Sequence, residues 1–134
     1  MIRKYTTSTR VKFYVLVGFE STDAQDIENA FKRIALLMKY RCLPYLMRYQ
    51  NKDDTPWKRS EFSRLYVSLA RWCNQPSIFK KKSFRQFCEA TQAQIKTEGA
   101  YSSAMSAMLD FETKHPEIAA KYFDLRFDDV PVGE

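Results

Sequence analysis

The sequence predicts an α/β fold with two parallel strands and about five helices. The first observation is a run starting at Val11, VKFYVLVGF, in which seven of nine residues are apolar. Such a run is typical of a strand buried on both faces, as in a parallel sheet packed between helices. The second observation is the segment order, strand then helix then strand, which predicts a right-handed crossover and therefore a parallel pair.

The helix between the two strands is predicted to begin at Thr22. Gln25 follows three residues later, which is the spacing of a capping box, in which each side chain satisfies the other residue's backbone donor. Apolar residues then recur at helical spacing up to about Tyr40. The next apolar run, residues 41–49, is too short for another helix and rich in strand-favouring residues, so it is predicted to be the second strand.

The rest of the chain is predicted to be helical, with breaks at proline and glycine. Pro56 is a favourable first helical residue, and the apolar face of that helix includes Trp72 as a core anchor. Ser83 and Gln86 repeat the capping-box spacing. The predicted segments are a helix from Pro56 that stops at Asn74–Pro76, a helix from Phe84 to about Thr97, a helix around Met105–Leu109 that ends before Pro116, a short helix from Glu117 to Asp124, and a loose tail from Asp128 to Glu134.

Composition predicts a globular protein. The 134 residues are 45% hydrophobic and 15% aromatic, and no apolar run approaches the roughly 20 residues of a membrane span. Cys42, Cys73 and Cys88 are odd in number and widely spaced, which argues against a disulfide framework and against a zinc site. We therefore expect a soluble cytoplasmic protein with buried thiols and no membrane contact.

Charge is distributed unevenly along the chain. Residues 1–85 carry 18 Lys and Arg against 7 Asp and Glu, a net of +11, whereas residues 86–134 carry 4 against 9, a net of −5. The first part could attract phosphates. Its most concentrated basic segment interleaves cations with aromatic residues, as some single-strand nucleic-acid grooves do, although a solvated loop has the same composition. The candidate nucleic-acid residues are Lys80, Lys81, Lys82 and Arg85.

Two strands alone make an incomplete sheet. A strand buried on both faces needs cover on each, and a parallel pair leaves an open edge on either side. Two explanations stay open at this point. Further strands come from another copy of the chain, or the sequence is a piece of a larger barrel or sheet.

Three segments resemble the radical S-adenosylmethionine (radical SAM) superfamily. Residues 12–22, KFYVLVGFEST, resemble a late strand-to-helix turn of these enzymes, and residues 44–51, PYLMRYQN, resemble the strand that comes next. FSRL at residues 62–65, LARWCN at 69–74 and IFK at 78–80 are similar to the "FARWVN…YK" ending of a bacterial branch of the superfamily. The resemblance covers roughly residues 10–88.

The resemblance implies that residues 1–88 form the last units of a partial (β/α) barrel, and residues 89–134 a helical extension. It implies a complete enzyme that uses S-adenosylmethionine and a four-iron four-sulfur cluster held by a CxxxCxxC motif, which this sequence lacks. The chain is then a C-terminal fragment or subunit, inactive and without cofactor by itself, whose partner is the missing N-terminal barrel portion. Ligands of parallel barrels lie at the carboxyl ends of the strands. The implied cofactor-binding residues are Gly18, Glu20, Ser21, Thr22, Met47, Tyr49 and Asn51.

Two alternatives accompany this interpretation. Gly18 and Thr22 are also the residue types that a tight turn and a helix cap require, with no ligand involved. The whole chain could instead be a small basic nucleic-acid-binding module whose sheet is completed by homo-oligomerisation.

Overall fold

A computed structural model describes residues 12–130, and Val11 and the tail residues 131–134 lie outside this range. The described chain is mixed α/β, with two parallel strands and seven α-helices rather than about five. The elements are β1 (Lys12–Val17), α1 (Ala24–Lys39), β2 (Leu43–Arg48), α2 (Pro56–Arg59), α3 (Ser63–Cys73), α4 (Pro76–Phe79), α5 (Phe84–Ala93), α6 (Ser103–Lys114), α7 (Pro116–Tyr122) and a 3-10 turn at Phe127–Asp129.

The sheet consists of β1 and β2, paired in parallel, so the predicted strand–helix–strand unit is confirmed. The helix α1 packs on β1 and α3 packs on β2. Alternate residues of each strand, such as Val15 and Leu46, are buried beneath these helices. The helices therefore cover one face of the sheet.

The prediction that β1 is buried on both faces is wrong. Tyr14 is 77% exposed and Leu16 is 49% exposed, and they pair with the exposed Tyr45 and Met47 of β2. The four side chains lie on the face opposite the helices, because successive residues of a strand point to opposite faces. We call this row the bare face.

Three helix boundaries differ from the prediction. The single helix expected from Pro56 is divided into α2 and α3, and the helix from Phe84 ends at Ala93 rather than near Thr97. At Thr22 the predicted cap is wrong, because Asp23 is the N-cap and its carboxylate accepts from the Gln25 backbone N–H at 2.9 Å. The capping box of Ser83 with Gln86 is confirmed in both directions.

The core contains side chains from both implied segments, the barrel portion up to residue 88 and the extension from residue 89 onward. Residue 88, where the implied barrel portion ends, lies inside α5. Phe62 at the start of α3 meets Phe111 of α6 with ring centroids 5.5 Å apart, and Trp72 is fully buried, as predicted. Phe127, directly before the predicted loose tail, is also buried, and the Arg41 guanidinium donates to its carbonyl at 2.8 Å. The first two residues of that predicted tail, Asp128 and Asp129, belong to the 3-10 turn instead.

Candidate functional site

The turn after β1 requires glycine for two reasons. Gly18 has φ +87°, which L side chains rarely adopt. A Cβ at this position would lie 2.8 Å from the Cβ of Trp57, on the short helix α2. Gly18 therefore lets the backbone turn sharply and lets α2 lie directly against the carboxyl end of β1.

The carboxylate of Asp26 organises this turn. It accepts hydrogen bonds from the backbone N–H of Gly18 at 2.9 Å and from that of Glu20 at 3.4 Å, and the Tyr66 hydroxyl donates to it at 2.8 Å. The pKa of Tyr66 is raised well above its usual value, mainly because the side chain is buried and secondly because it is bonded to Asp26. This hydroxyl therefore stays protonated and acts as a donor. The backbone donors of Gly18 and Glu20 are consequently already engaged.

The next two predicted site residues face different surroundings. Ser21 is buried, and its carbonyl accepts from the Ser60 hydroxyl, which also accepts from the Phe62 N–H at 2.9 Å. Thr22 is exposed. Ser21 thus fastens the turn to the junction between α2 and α3, and Thr22 is open to solvent.

The end of β2 lies beside the same turn. The Tyr49 N–H donates to the Val17 carbonyl at 2.6 Å, and the Tyr49 ring meets Phe19 edge-on with centroids 4.8 Å apart. Met47 is exposed, and Asn51 accepts from two following backbone N–H groups and donates to the Tyr49 hydroxyl at 3.2 Å. Phe19, Met47 and Tyr49 thus provide accessible apolar surface at the strand ends, and Asn51 mainly shapes its own loop.

Trp57, like Asp26 and Tyr66, lies at the site although the sequence did not predict it there. Its indole lies beneath the Arg48 guanidinium, 4.6 Å from the ring centroid, and its buried Nε1–H has no acceptor within residues 12–130. The available signal was Pro56, which marked a helix entry directly before it. The contact with Gly18 spans 39 residues and left no pattern in the sequence.

The three cysteines do not fit an iron–sulfur cluster. Cys42, Cys73 and Cys88 are all buried, and burial raises the pKa of Cys73 well above its ordinary value and that of Cys88 to about 12. Cluster ligands are thiolates that converge on one point. No three His, Cys, Asp or Glu side chains in the described part of the chain are grouped as a metal site.

The basic segment is only partly available to a ligand. Arg85 is bound to Glu112 at 2.5 Å and to Asp124 at 2.8 Å, and these bonds raise its pKa and lower that of Glu112. Its charge is therefore neutralised within the fold. Lys80, Lys81 and Lys82 form no ion pair with any residue that the structure describes.

Comparisons with protein-family models, with curated proteins and with solved structures found no match to the chain. Within residues 12–130, no helix is both long enough and apolar enough to cross a bilayer.

Proposed function

We propose that the chain supplies the last strand–helix units of a radical SAM enzyme, contributes part of the S-adenosylmethionine pocket and is inactive by itself. The observation that carries the proposal is the bare face. In a (β/α) barrel, helices cover the outside of each strand and the inner side faces the barrel interior. Two barrel units taken alone would have helices on one face and an apolar row on the other, which is the arrangement of β1 and β2.

The carboxyl ends of the strands suit part of the cofactor. Phe19, Met47 and Tyr49 offer the aromatic and thioether surface on which an adenine ring can pack, and the exposed carboxylate of Glu20 suits a cationic group. The turn does not offer the backbone N–H groups of Gly18 and Glu20 to a ligand, because both already donate to Asp26. In this proposal the chain binds and orients S-adenosylmethionine, and the remainder of a cytoplasmic enzyme holds the cluster that supplies the electron.

The proposal is tested by sequencing the genomic DNA upstream of the Met1 codon. We expect an in-frame or adjacent reading frame that encodes CxxxCxxC and further strand–helix units, and its product should co-purify with this chain. A region without such a frame contradicts the proposal. The predicted inactivity of the isolated chain is checked by anaerobic reconstitution with iron and sulfide, where we expect neither cluster absorbance nor cleavage of S-adenosylmethionine.

A second candidate is nucleic-acid binding by a homo-oligomer, favoured by Lys80, Lys81 and Lys82, which form no ion pair within residues 12–130. It requires a single-stranded DNA affinity that falls with salt and becomes less salt-dependent when Lys80, Lys81 and Lys82 are replaced by Gln. Lys96→Gln, at an exposed site, is the control. Arg85 is left unchanged because its ion pairs join α5 to α6 and to Asp124.

A further inference from the structure

The two outer edges of the sheet differ. At the outer edge of β2, the Asn74 side chain accepts from the Leu46 N–H at 2.7 Å and donates to the Leu46 carbonyl at 3.1 Å, as a neighbouring strand would. Strand alternation places the nitrogen of Pro44 on this same edge, where no N–H is available to another strand. The edge of β2 is therefore closed to further pairing.

The outer edge of β1 is less completely occupied by the residues that the structure describes. Val17 points its carbonyl toward β2, so alternation turns the backbone groups of Tyr14 and Leu16 outward. No strand lies beside them in the described chain. An edge of this kind is a template for an added strand, and proteins usually cover or charge it.

Two residues of α1 border this edge. The Arg33 guanidinium donates to the Leu16 carbonyl at 2.9 Å and has no carboxylate within ion-pair distance among residues 12–130. Leu36 is 52% exposed and lies three residues further along the helix, on the same side as Arg33. The Leu16 carbonyl is thus already engaged, whereas the Leu16 N–H and both backbone groups of Tyr14 have no hydrogen-bond partner among residues 12–130. Apolar surface and a cation without a carboxylate in this range flank these groups.

We propose that the outer edge of β1 binds an extended, largely apolar segment of another polypeptide that carries a carboxylate opposite Arg33. The added strand pairs with the backbone groups of Tyr14 and with the Leu16 N–H, extends the bare face and packs against Leu36, while Arg33 keeps its bond to the Leu16 carbonyl. The identity of this segment as the neighbouring strand of the missing barrel portion rests on the proposed function. Its chemistry, an apolar strand with an Asp or Glu, follows from the edge alone.

A second copy of the chain fits this edge less well. Two-fold antiparallel pairing of β1 with itself would bring together two Arg33 side chains, neither of which has a carboxylate within ion-pair distance in the described chain. In the register that sets Tyr14 opposite Leu16 of the second copy, the two Leu16 carbonyls that bind Arg33 would lie about two residues apart along the strands, or roughly 7 Å, which is within the screening length at physiological salt. Like charges at this distance oppose the pairing.

The test is selection of binders to the full chain from a displayed library of random decapeptides. We expect enriched peptides that alternate apolar residues and contain Asp or Glu. Tyr14→Pro, which removes one outward N–H and leaves the bonds to β2 intact, should abolish binding. Tyr14→Thr keeps that N–H and is the matched control, with a loss of less than about threefold.

Arg33→Glu provides a second variant that preserves the backbone. This substitution should lower the affinity for acidic peptides about tenfold, because charge-assisted hydrogen bonds are lost and like charges repel. It should raise the affinity for peptides that contain Lys. No enrichment over the starting library, enriched peptides without an acidic residue, or binding that withstands Tyr14→Pro would each overturn the inference. A wild-type dimer that Tyr14→Pro dissociates would assign the edge to a second copy and also overturn it. These outcomes bear on the edge alone. The proposed function is tested separately, by the presence of an upstream reading frame that encodes CxxxCxxC.

Discussion

At the scale of single residues, Gly18 carries the sharpest stability prediction. Gly18→Ala should lower the free energy of unfolding by about 2–4 kcal/mol, from the left-handed backbone and from the clash with Trp57. Gly99→Ala is the matched control, since Gly99 has φ +80° but no atom within 4 Å of the position that a Cβ would occupy, so about 1–2 kcal/mol is expected. Urea unfolding measures both, and equal losses would show that Trp57 does not restrict this site.

The N-cap of α1 shows how a residue-level pattern can mislead. Thr22 and Gln25 have capping-box spacing, yet the helix begins one residue later, with Asp23 as the cap. The later start puts Asp26 in the first turn, where its carboxylate reaches back to Gly18 and also binds Tyr66, 40 residues away. The Thr22–Gln25 spacing carries no information on these tertiary hydrogen bonds, which accompany the later start. The Ser83–Gln86 spacing forms a capping box in both directions, and its prediction is correct.

At the scale of elements, Asn74 is predicted to act as the closing partner of β2. Asn74→Ala should cost about 1–2 kcal/mol, because the Leu46 N–H and carbonyl both lose a partner. It should also open the second sheet edge and promote concentration-dependent association. Urea unfolding and sedimentation velocity test the two effects. Gln75→Ala is the control at a neighbouring exposed position, and association of that variant to the same extent would count against an edge role for Asn74.

The exposure of β1 was missed because apolar content cannot distinguish a face covered by helices from one that awaits another part of a sheet. Tyr14 and Leu16 are of residue types that are often buried in strands, yet both lie on the bare face. By contrast, the parallel pairing was predictable, since the intervening helix leaves only a crossover connection.

At the scale of the whole molecule, the buried thiols predict a loss of stability in alkali. The pKa of Cys73 and that of Cys88 are raised in the folded state, so their stabilising contribution is complete below about pH 8.5, the unfolded value, and is lost as pH rises. Between pH 7 and 9.5 we expect a loss of about 1 kcal/mol per thiol. Urea unfolding of the Cys73→Ala/Cys88→Ala variant should show a shallower decline, and an unchanged decline would assign it to other groups.

The ion pairs of Arg85 predict the opposite behaviour in acid. The pKa of Glu112 is lowered by Arg85, so the contribution of this carboxylate is present above about pH 4.3 and is lost as pH falls below it. Glu112→Gln should cost about 1 kcal/mol at pH 7 because the pair is partly exposed, and the cost should decrease as the pH falls below about 4.3. Asp110→Asn, which alters the exposed Arg64 pair, is the control, and a cost for Glu112→Gln that does not vary with pH would indicate packing rather than charge.

Local sequence patterns were enough to predict the strand–helix–strand order, the helix entry at Pro56, the Ser83 cap and the burial of Trp72, because each depends on neighbours within about one or two helical turns. Three features became visible only in the folded chain: which face of β1 is covered, which edge of the sheet is closed, and the neutralisation of Arg85 by Glu112 and Asp124. These features join residues that are tens of positions apart, and no local periodicity records such contacts. The candidate site divides in the same way, since its glycine turn could be read from the chain and its contact with Trp57 could not.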